Sequence, residues 1–271
     1  MSSDDYEGGK IPIWTNRFVL LGASNLTMHL YTAIKFLQQR VGGPSDVLVA
    51  AGHGRSYGGF SQIMFRELPG IISSGLWDRL ASVNRLPTYA MLTDIGNDIP
   101  YGYSPEQILT WVNECVRRLQ RQTDRIVLTN IPIDSIEAIP AWRYNMLRSI
   151  IFPNCQLTKN EVVELAKRLH QGLIELASGH NIEIIEPSSK WFGMDAIHVR
   201  YWKREACYQR VTEGFLETFG EAQHKIPDKN TLELLKWRQR PQFAYKKMLG
   251  LERYNPQPSG LLSNGTTISL Y

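Results

Sequence analysis

Residues 17–24, with the sequence RFVLLGAS, hold the pattern on which the fold of this chain depends. Four consecutive apolar residues are followed at once by a glycine. An apolar run without polar alternation predicts a strand that is buried on both faces, as in a parallel sheet. The following segment, 28–40, has apolar residues three and four positions apart and predicts a helix. The two segments together indicate a strand–helix unit.

The same alternation continues as far as residue 219. The predicted strands are 17–24, 46–54, 87–98, 125–133 and 181–187. The predicted helices are 28–40, about 60–68, 104–122, 158–179 and 202–219. Strands that alternate in this way with helices predict a parallel sheet with helices on both faces.

Two helix starts carry capping signals. Ser104 precedes Pro105, with Gln107 three residues after the serine, and Thr158 stands in the same relation to Glu161. A serine or threonine followed three residues later by glutamine or glutamate predicts a capping box. Proline at the first helical position strengthens the first of these predictions.

The positive charge of the chain is concentrated near its end. The formal net charge is +4, and residues 225–271 contain eight basic and three acidic residues. We therefore divide the chain into a nearly neutral catalytic domain, 1–224, and a basic helical extension with a loosely held tail, 225–271. Residues 232–250 mix apolar, aromatic and basic side chains, which favours a helix packed on the domain over one that binds a membrane surface or an acidic partner.

Composition excludes several classes of protein. The cysteines, Cys115, Cys155 and Cys207, form no C-x-x-C pair, so the sequence gives no support to a zinc or redox motif. We expect neither a metal nor a cofactor. No signal-peptide pattern and no apolar run of about 20 residues is present, so we expect a cytoplasmic protein without a membrane span. The near-neutral body argues against nucleic-acid binding, and the oligomeric state stays open.

The chemistry-bearing residues follow the predicted strands. The first, second, third and fifth strands lead into 22–25 (GASN), 52–55 (GHGR), 96–98 (GND) and 195–198 (DAIH). Ligands of open parallel sheets bind beyond the carboxyl ends of the strands, so these four groups should converge. They contain a nucleophile, a base with a carboxylate, and amide donors, which are the parts of an acyl-transfer site.

Each group has an ordinary structural explanation when it is taken alone. Ser24 is a natural helix cap, Asn97 and Asp98 suit a turn, and Asp195 can cap a turn with His198 packed beside it. Four such coincidences would have to occur in order and at successive strand ends. We therefore favour the functional interpretation for the set.

The four groups also resemble the sequence blocks of the SGNH hydrolase superfamily, the GDSL esterases and lipases. The resemblance lies in GASNLT (22–27), the glycines of GHGRSYG (52–58), GND (96–98) and DAIH (195–198), in the order of the family. The Gly-Asp-Ser of the family is Gly-Ala-Ser here, and Val199 replaces a frequent proline. The resemblance implies a flavodoxin-like three-layer α/β/α sandwich with a parallel sheet of about five strands.

The resemblance also implies a role for each residue of the set. Ser24 would be the nucleophile, His198 the general base, and Asp195 the group that orients the imidazole. The backbone amides of Ser24 and Gly54 and the side-chain amide of Asn97 would form the oxyanion hole.

Gly54 is chosen over two neighbouring glycines. Gly52 and Gly58 are the other possible registers, and Gly54 matches the family because a polar residue and a serine follow it. A glycine lets the backbone approach a substrate closely.

Five residues of the same loops are candidate substrate contacts. They are His53, Arg55, Tyr57, Tyr101 and Trp191. Aromatic side chains there suit an apolar acyl or aryl pocket, although loop packing is the commoner role of such residues. Asp94 and Asp98 are interpreted as carboxylates that structure their loops.

We expect a serine esterase or deacetylase that cleaves a small ester through an acyl-enzyme. An acyltransferase would use the same residues and differ in excluding water and binding an acceptor. A catalytically inactive binding module with the SGNH fold is the alternative from another class.

Overall fold

The computed structural model describes residues 13–63, 65–219 and 235–271. Its strands are β1 (Asn16–Leu21), β2 (Ser45–Ala50), β3 (Ser61–Ile63), β4 (Arg66–Leu68), β5 (Thr88–Leu92), β6 (Ile126–Thr129), β7 (Glu183–Ile185), β8 (Trp237–Gln239), β9 (Tyr245–Met248), β10 (Leu251–Tyr254), β11 (Gly260–Leu262) and β12 (Thr267–Leu270). Its α-helices are α1 (Ser24–Val41), α2 (Leu76–Ser82), α3 (Pro105–Gln120), α4 (Ile133–Ala138), α5 (Ala141–Ile151), α6 (Lys159–His180) and α7 (Arg204–Phe219). Short 3₁₀ helices cover Ile71–Ser73, Ile95–Tyr101, Ser189–Trp191 and Tyr201–Lys203.

The central sheet has the strand order β7-β6-β5-β1-β2-β12-β11-β8. Its first six strands are parallel, and β11 and β8 complete it in antiparallel pairing. The five predicted parallel strands are all present, and the α/β class is confirmed. The predicted number of about five strands is too small, because three strands from the end of the chain extend the sheet beyond β2.

Strand β1 lies between two hydrophobic cores, one on each face of the sheet. Val19 and Leu21 pack in one core with residues of α2, α3 and α6, whereas Phe18 and Leu20 pack in the other with residues of α1 and α7. Side chains of a strand alternate between faces, so a strand covered on both faces must be apolar throughout. The three-layer sandwich explains why the sequence of β1 shows no polar alternation.

The helix starts predicted from capping signals are confirmed. The Ser104 side chain accepts a hydrogen bond from the backbone amide of Gln107 at the start of α3. Thr158 and Glu161 form a complete capping box at the start of α6. Among the described residues, no helix is both long and apolar enough to cross a membrane.

The segment 60–68 was predicted to be a helix, and this prediction is wrong. Strands β3 and β4 form an antiparallel hairpin there, and β4 pairs with β9 in a second sheet of order β10-β9-β4-β3. The partner strand lies about 180 residues further along the chain, at the register Arg66 to Met248. Pairing with so distant a strand overrides a weak local helical pattern.

The helical extension predicted for 225–271 is also corrected. Residues 235–271 form β8 to β12, and 220–234 lie outside the described residues. The tail is held firmly, because β12 lies between β2 and β11 and Ile268 is fully buried. The Thr266 hydroxyl accepts hydrogen bonds from the Gln38 side chain at 2.6 Å and from the Ser45 amide at 3.0 Å.

Substitution in β12 should therefore destabilise the whole domain. We expect Ile268→Ala to lower the free energy of unfolding by about 2–5 kcal/mol, because it leaves a cavity in a core that contains residues of α1 and α7. Leu251→Ala, at a β10 position that is 67% exposed, should change it by less than about 0.5 kcal/mol. Equilibrium urea unfolding measures both values, and equal effects would contradict the integration of β12 into the core.

Candidate active site

Ser24 lies where β1 passes into α1. It is the first residue of that helix, and Ala23 is the N-cap, without a side-chain capping hydrogen bond. The Ser24 hydroxyl instead lies 2.9 Å from His198 Nε2. Ser24 is therefore not the N-cap of α1, and the structural explanation of Ser24 as a helix cap is wrong.

The loop 195–198 holds its own histidine in place. His198 Nδ1 lies 2.6 Å from Asp195 Oδ2, while Asp195 Oδ1 accepts hydrogen bonds from the backbone amides of Ile197 and His198. Ala196 has a φ of 68°, a left-handed conformation that lets the loop turn back on itself. Both carboxylate oxygens of Asp195 are thus occupied, and its side chain has a fixed direction.

The pKa values of this pair move in opposite directions. Burial acts to raise the pKa of Asp195, but the hydrogen bonds from the His198 side chain and from backbone amides outweigh it and lower that pKa. Burial acts to lower the pKa of His198, but the hydrogen bond and charge of Asp195 outweigh it and raise that pKa. Asp195 is a carboxylate at neutral pH. It favours the tautomer in which Nδ1 carries the proton and Nε2 accepts one from Ser24.

Asn25 connects the serine helix to the histidine loop. Its side-chain nitrogen donates to the Ile197 carbonyl oxygen and to Asp94 Oδ1, both at 2.9 Å, and its oxygen accepts from the Val199 amide at 2.8 Å. These bonds hold both neighbours of His198. Sequence reasoning did not identify Asn25, because its only local signal was its place beside Ser24.

Asp94 fixes the start of α1. Its Oδ2 accepts hydrogen bonds from the backbone amides of Ala23 at 2.8 Å and Leu26 at 3.2 Å. Such a carboxylate also interacts favourably with the helix dipole. Asp94 therefore supplies a carboxylate beside Ala23, the position at which the Gly-Asp-Ser sequence of the family has its aspartate. The interpretation of Asp94 as a loop-structuring carboxylate is confirmed.

Asp98 ties two loops of the site together. Its buried carboxylate accepts hydrogen bonds from the Ser56 hydroxyl and, at 3.0 Å, from the Tyr57 amide. Burial, opposed by these hydrogen bonds, raises the pKa of Asp98 to about 6. Its interpretation as a loop-structuring carboxylate is also confirmed.

Two of the three predicted oxyanion donors, Gly54 and Asn97, lie in the segments that follow β2 and β5, and the third is the Ser24 amide at the start of α1. Asn97 is in the 3₁₀ helix Ile95–Tyr101, and its side-chain nitrogen is buried without a hydrogen-bond partner. Gly54 has a φ of 64°, and its carbonyl oxygen accepts from the Tyr101 hydroxyl at 2.7 Å. A Cβ at position 54 would lie 2.5 Å from Ile63, so the position requires glycine for both conformation and space.

Two of the predicted substrate contacts are wrong. Arg55 is fully buried and donates to the carbonyl oxygens of Ala51, Pro69 and Tyr271. Tyr57 is fully buried too, and its hydroxyl donates to the Thr93 carbonyl oxygen at 2.9 Å. Both side chains support loops from within the core.

The remaining three candidates stay predictions. The His53 residue is exposed overall, and partial burial of its ring together with the charges of Arg66 and His198 lowers the pKa of His53. Tyr101 packs edge-on against Phe152. Trp191 lines a cavity beside Ser24.

That cavity has a volume of about 160 Å³. Ser24, Asn97 and Asp195 line it, together with apolar residues from α4, α5 and α6. Helices α4 and α5 were not predicted from the sequence, which treated the region after 133 as unassigned.

Comparison with known proteins supports the fold. No protein-family model matches the chain, and the search of curated proteins finds no match. Among solved structures, Est24, a carbohydrate acetylesterase from Sinorhizobium meliloti, has a TM-score of 0.52 at 13% identity and covers 75% of this chain and 100% of its own.

Two further similar structures have lower scores. A lipolytic G-D-S-L family member from Veillonella parvula has a TM-score of 0.48 at 13% identity, covering 75% of this chain and 98% of its own. An aryl esterase from M. smegmatis has a TM-score of 0.49 at 16% identity, and the alignment covers 74% of this chain and 97% of the esterase. The likeness to Est24 confirms the fold that the resemblance to SGNH hydrolases implies.

The pKa of His198 gives a test of the pair. We expect it to lie above 6.5 in the folded protein and to fall in Asp195→Asn, because burial then acts on the imidazole without the carboxylate. The contribution of this proton to stability is complete below pH 6.5 and is lost as the pH rises through the folded pKa. NMR titration of the histidine side chains measures the pKa.

A matched variant separates this effect from a general loss of charge. Glu186→Gln removes the carboxylate that lies 3.0 Å from a different histidine, His170. It should leave the pKa of His198 unchanged. A wild-type pKa at or below 6.5 would contradict the proposed balance of burial and pairing.

Proposed function

We propose that this chain is a serine hydrolase that cleaves a carboxylic ester through an acyl-enzyme. The observation that carries the proposal is the continuous hydrogen-bonded series of Ser24, His198 and Asp195. Its two distances are 2.9 Å from Ser24 Oγ to His198 Nε2 and 2.6 Å from His198 Nδ1 to Asp195 Oδ2. A serine hydroxyl becomes a useful nucleophile when a correctly oriented base lies within hydrogen-bond reach.

The reaction begins with proton transfer from the Ser24 hydroxyl to His198 as the oxygen attacks the ester carbonyl. Asp195 stabilises the imidazolium that forms. The C–O bond to the alcohol then breaks, and His198 gives the proton to the departing oxygen. Water repeats the sequence on the acyl-enzyme and releases the acid, with Ser24 and His198 restored.

The oxyanion of each tetrahedral intermediate needs donors that are already in place. The buried Asn97 amide supports this role, because a buried donor without a partner costs about 1–3 kcal/mol and would gain one here. Ser24, as the first residue of α1, has a backbone N–H outside the hydrogen-bond ladder of the helix. We assign the third donor to the Gly54 amide.

The fold neighbours point in the same direction. Est24 is described as a carbohydrate acetylesterase, and its whole chain aligns with this one. Ester hydrolysis is therefore the reaction class that the geometry and the fold support together. The predicted small ester is the starting substrate class for this proposal.

Covalent labelling tests the proposal directly. We expect a fluorophosphonate to modify Ser24, as located by mass spectrometry, because the probe reacts with serines activated by a base. Ser24→Ala and His198→Ala should both abolish labelling, since loss of either residue in a comparable triad costs about 10⁶ in turnover. Turnover of p-nitrophenyl acetate provides the kinetic counterpart.

His170→Ala is the matched control for this experiment. His170 also lies against a carboxylate, that of Glu186, but it has no serine hydroxyl among its hydrogen-bond partners. This variant should label like the wild type. Absence of labelling in folded wild-type protein, or labelling at another residue, would overturn the proposed triad.

Asn25 should act as a positioning residue for the triad. Asn25→Ala removes the hydrogen bonds to the residues on both sides of His198, so the imidazole loses its alignment with Ser24. We expect the labelling rate of Ser24 to fall by about 10²-fold, the effect of a misplacement of about 1 Å.

The control for Asn25 is an asparagine beside a different histidine. Asn113→Ala, which removes one of the hydrogen-bond partners of His180, should leave the labelling rate unchanged. A merely structural role of Asn25 predicts a lower melting temperature with an unchanged labelling rate below the melting transition. That result would rule out positioning.

A further inference from the structure

The cavity beside Ser24 also has Asp195 in its lining. Its walls come from the carboxyl ends of β5, β6 and β7 and from the helices that follow β6. Most of the wall is aliphatic or aromatic. Its apolar side chains include Ile99, Ile131, Ile139, Leu147, Ile151 and Phe152. An apolar space of this kind favours an apolar ligand group.

The position of the catalytic atoms indicates which part of an ester enters this space. Ser24, the proposed nucleophile, and Asn97, to which we assign a hydrogen bond to the oxyanion, both line the cavity. His198, which protonates the leaving alcohol, is not among its lining residues, although Asp195, Ile197 and Val199 of the same loop are. Because the attacking hydroxyl and the assigned oxyanion donor Asn97 both line the cavity, we place the acyl group in it and the alcohol on the side of the imidazole.

The volume of the cavity sets the size of that group. At about 160 Å³ it is similar to an apolar cavity of ~150 Å³ that binds benzene, a molecule of six carbons. A single methyl group would leave most of the apolar wall without contacts. The acetyl group in the description of Est24 is much smaller than this space.

We propose that the acyl group of the substrate is an unbranched alkyl chain of about six to eight carbons, bound between the strand ends and helix α5. The proposal rests on the proposed function for the orientation of the ester. It replaces the small acyl group expected from the sequence. Helix α5 contributes Leu147 and Ile151 to the lining that would contact the alkyl chain.

A chain-length series measures the preference. With p-nitrophenyl esters from acetate to dodecanoate, kcat/KM should rise by about fourfold for each added methylene group up to hexanoate or octanoate, and then fall. The rise reflects burial of each methylene in the cavity. A maximum at acetate would overturn the proposal even if Ser24 labels normally.

Two adjacent isoleucines provide matched variants. Ile151 lines the cavity, whereas Ile150 is 72% exposed and lies outside its lining. Ile151→Trp should lower kcat/KM for octanoate at least tenfold and change that for acetate by less than about threefold, because the indole fills the space for the chain. Ile150→Trp should leave both unchanged.

A second pair repeats the comparison one turn earlier in α5. Leu147 lines the cavity and Met146 is an exposed neighbour. Leu147→Trp and Met146→Trp should differ in the same way, so the result does not depend on the folding of one variant. Equal chain-length profiles within both pairs would overturn the proposal.

Binding to an inactive protein separates this inference from the proposed function. Ser24→Ala should bind octanoate in calorimetry, with at least tenfold weaker binding when Ile151→Trp is added and no change when Ile150→Trp is added. This outcome supports the cavity even if wild-type Ser24 fails to label, which would overturn the triad alone. Equal binding of acetate and octanoate overturns the acyl-chain site.

Discussion

The parallel pairing of β1 with β2 and β5 is the constraint on which the rest of the molecule depends. Leu21 pairs with Ala50 on one side and with Leu92 on the other, so three strands end at one edge. Hydrogen bonds from Gly22 to Ala50 and from Thr93 to Leu21 continue the pairing beyond the strands. The loops that carry Ser24, Gly54 and Asn97 therefore begin within one strand spacing of each other.

Polar side chains convert this closeness into a fixed geometry. Asp94 holds the start of α1, Asn25 holds the histidine loop to that helix, and Asp98 joins the loop after β2 to the loop after β5. Each group is linked to backbone amides or carbonyls rather than to mobile surface side chains. Arrangements of this kind keep catalytic groups in a single rotamer, which acyl transfer requires.

Strands near the end of the chain support the loops of the site through their pairing with β2 and β4. Strand β12 covers the edge of β2, and β9 pairs with the hairpin that follows the loop of Gly54. Arg55, buried below that loop, donates to the carbonyl oxygen of Tyr271. The basic C-terminal segment therefore supports the loop that contains Gly54, and it covers an edge of the parallel sheet that would otherwise be unpaired.

The sequence by itself determined the features whose causes are local. The apolar run of β1 and the caps at Ser104 and Thr158 predicted their elements, since strand burial and helix capping act over a few residues. The placing of chemical groups at strand ends followed from the parallel pattern, which brought Ser24 and His198 into consideration. Local signals of this kind remain visible without any knowledge of distant partners.

Only the tertiary structure decided the features that depend on distant partners. The hairpin β3–β4 forms because β9 pairs with it, and the tail forms strands because β2 offers a free edge. Buried Arg55 has three carbonyl acceptors, and one of them belongs to Tyr271, 216 residues away. The role of Asn25 depends on a hydrogen bond from the backbone amide of Val199, which lies 174 residues further along the chain. Side chains and strands that complete one another from such separations leave no periodic signal in either segment, because the free energy comes from the contact itself.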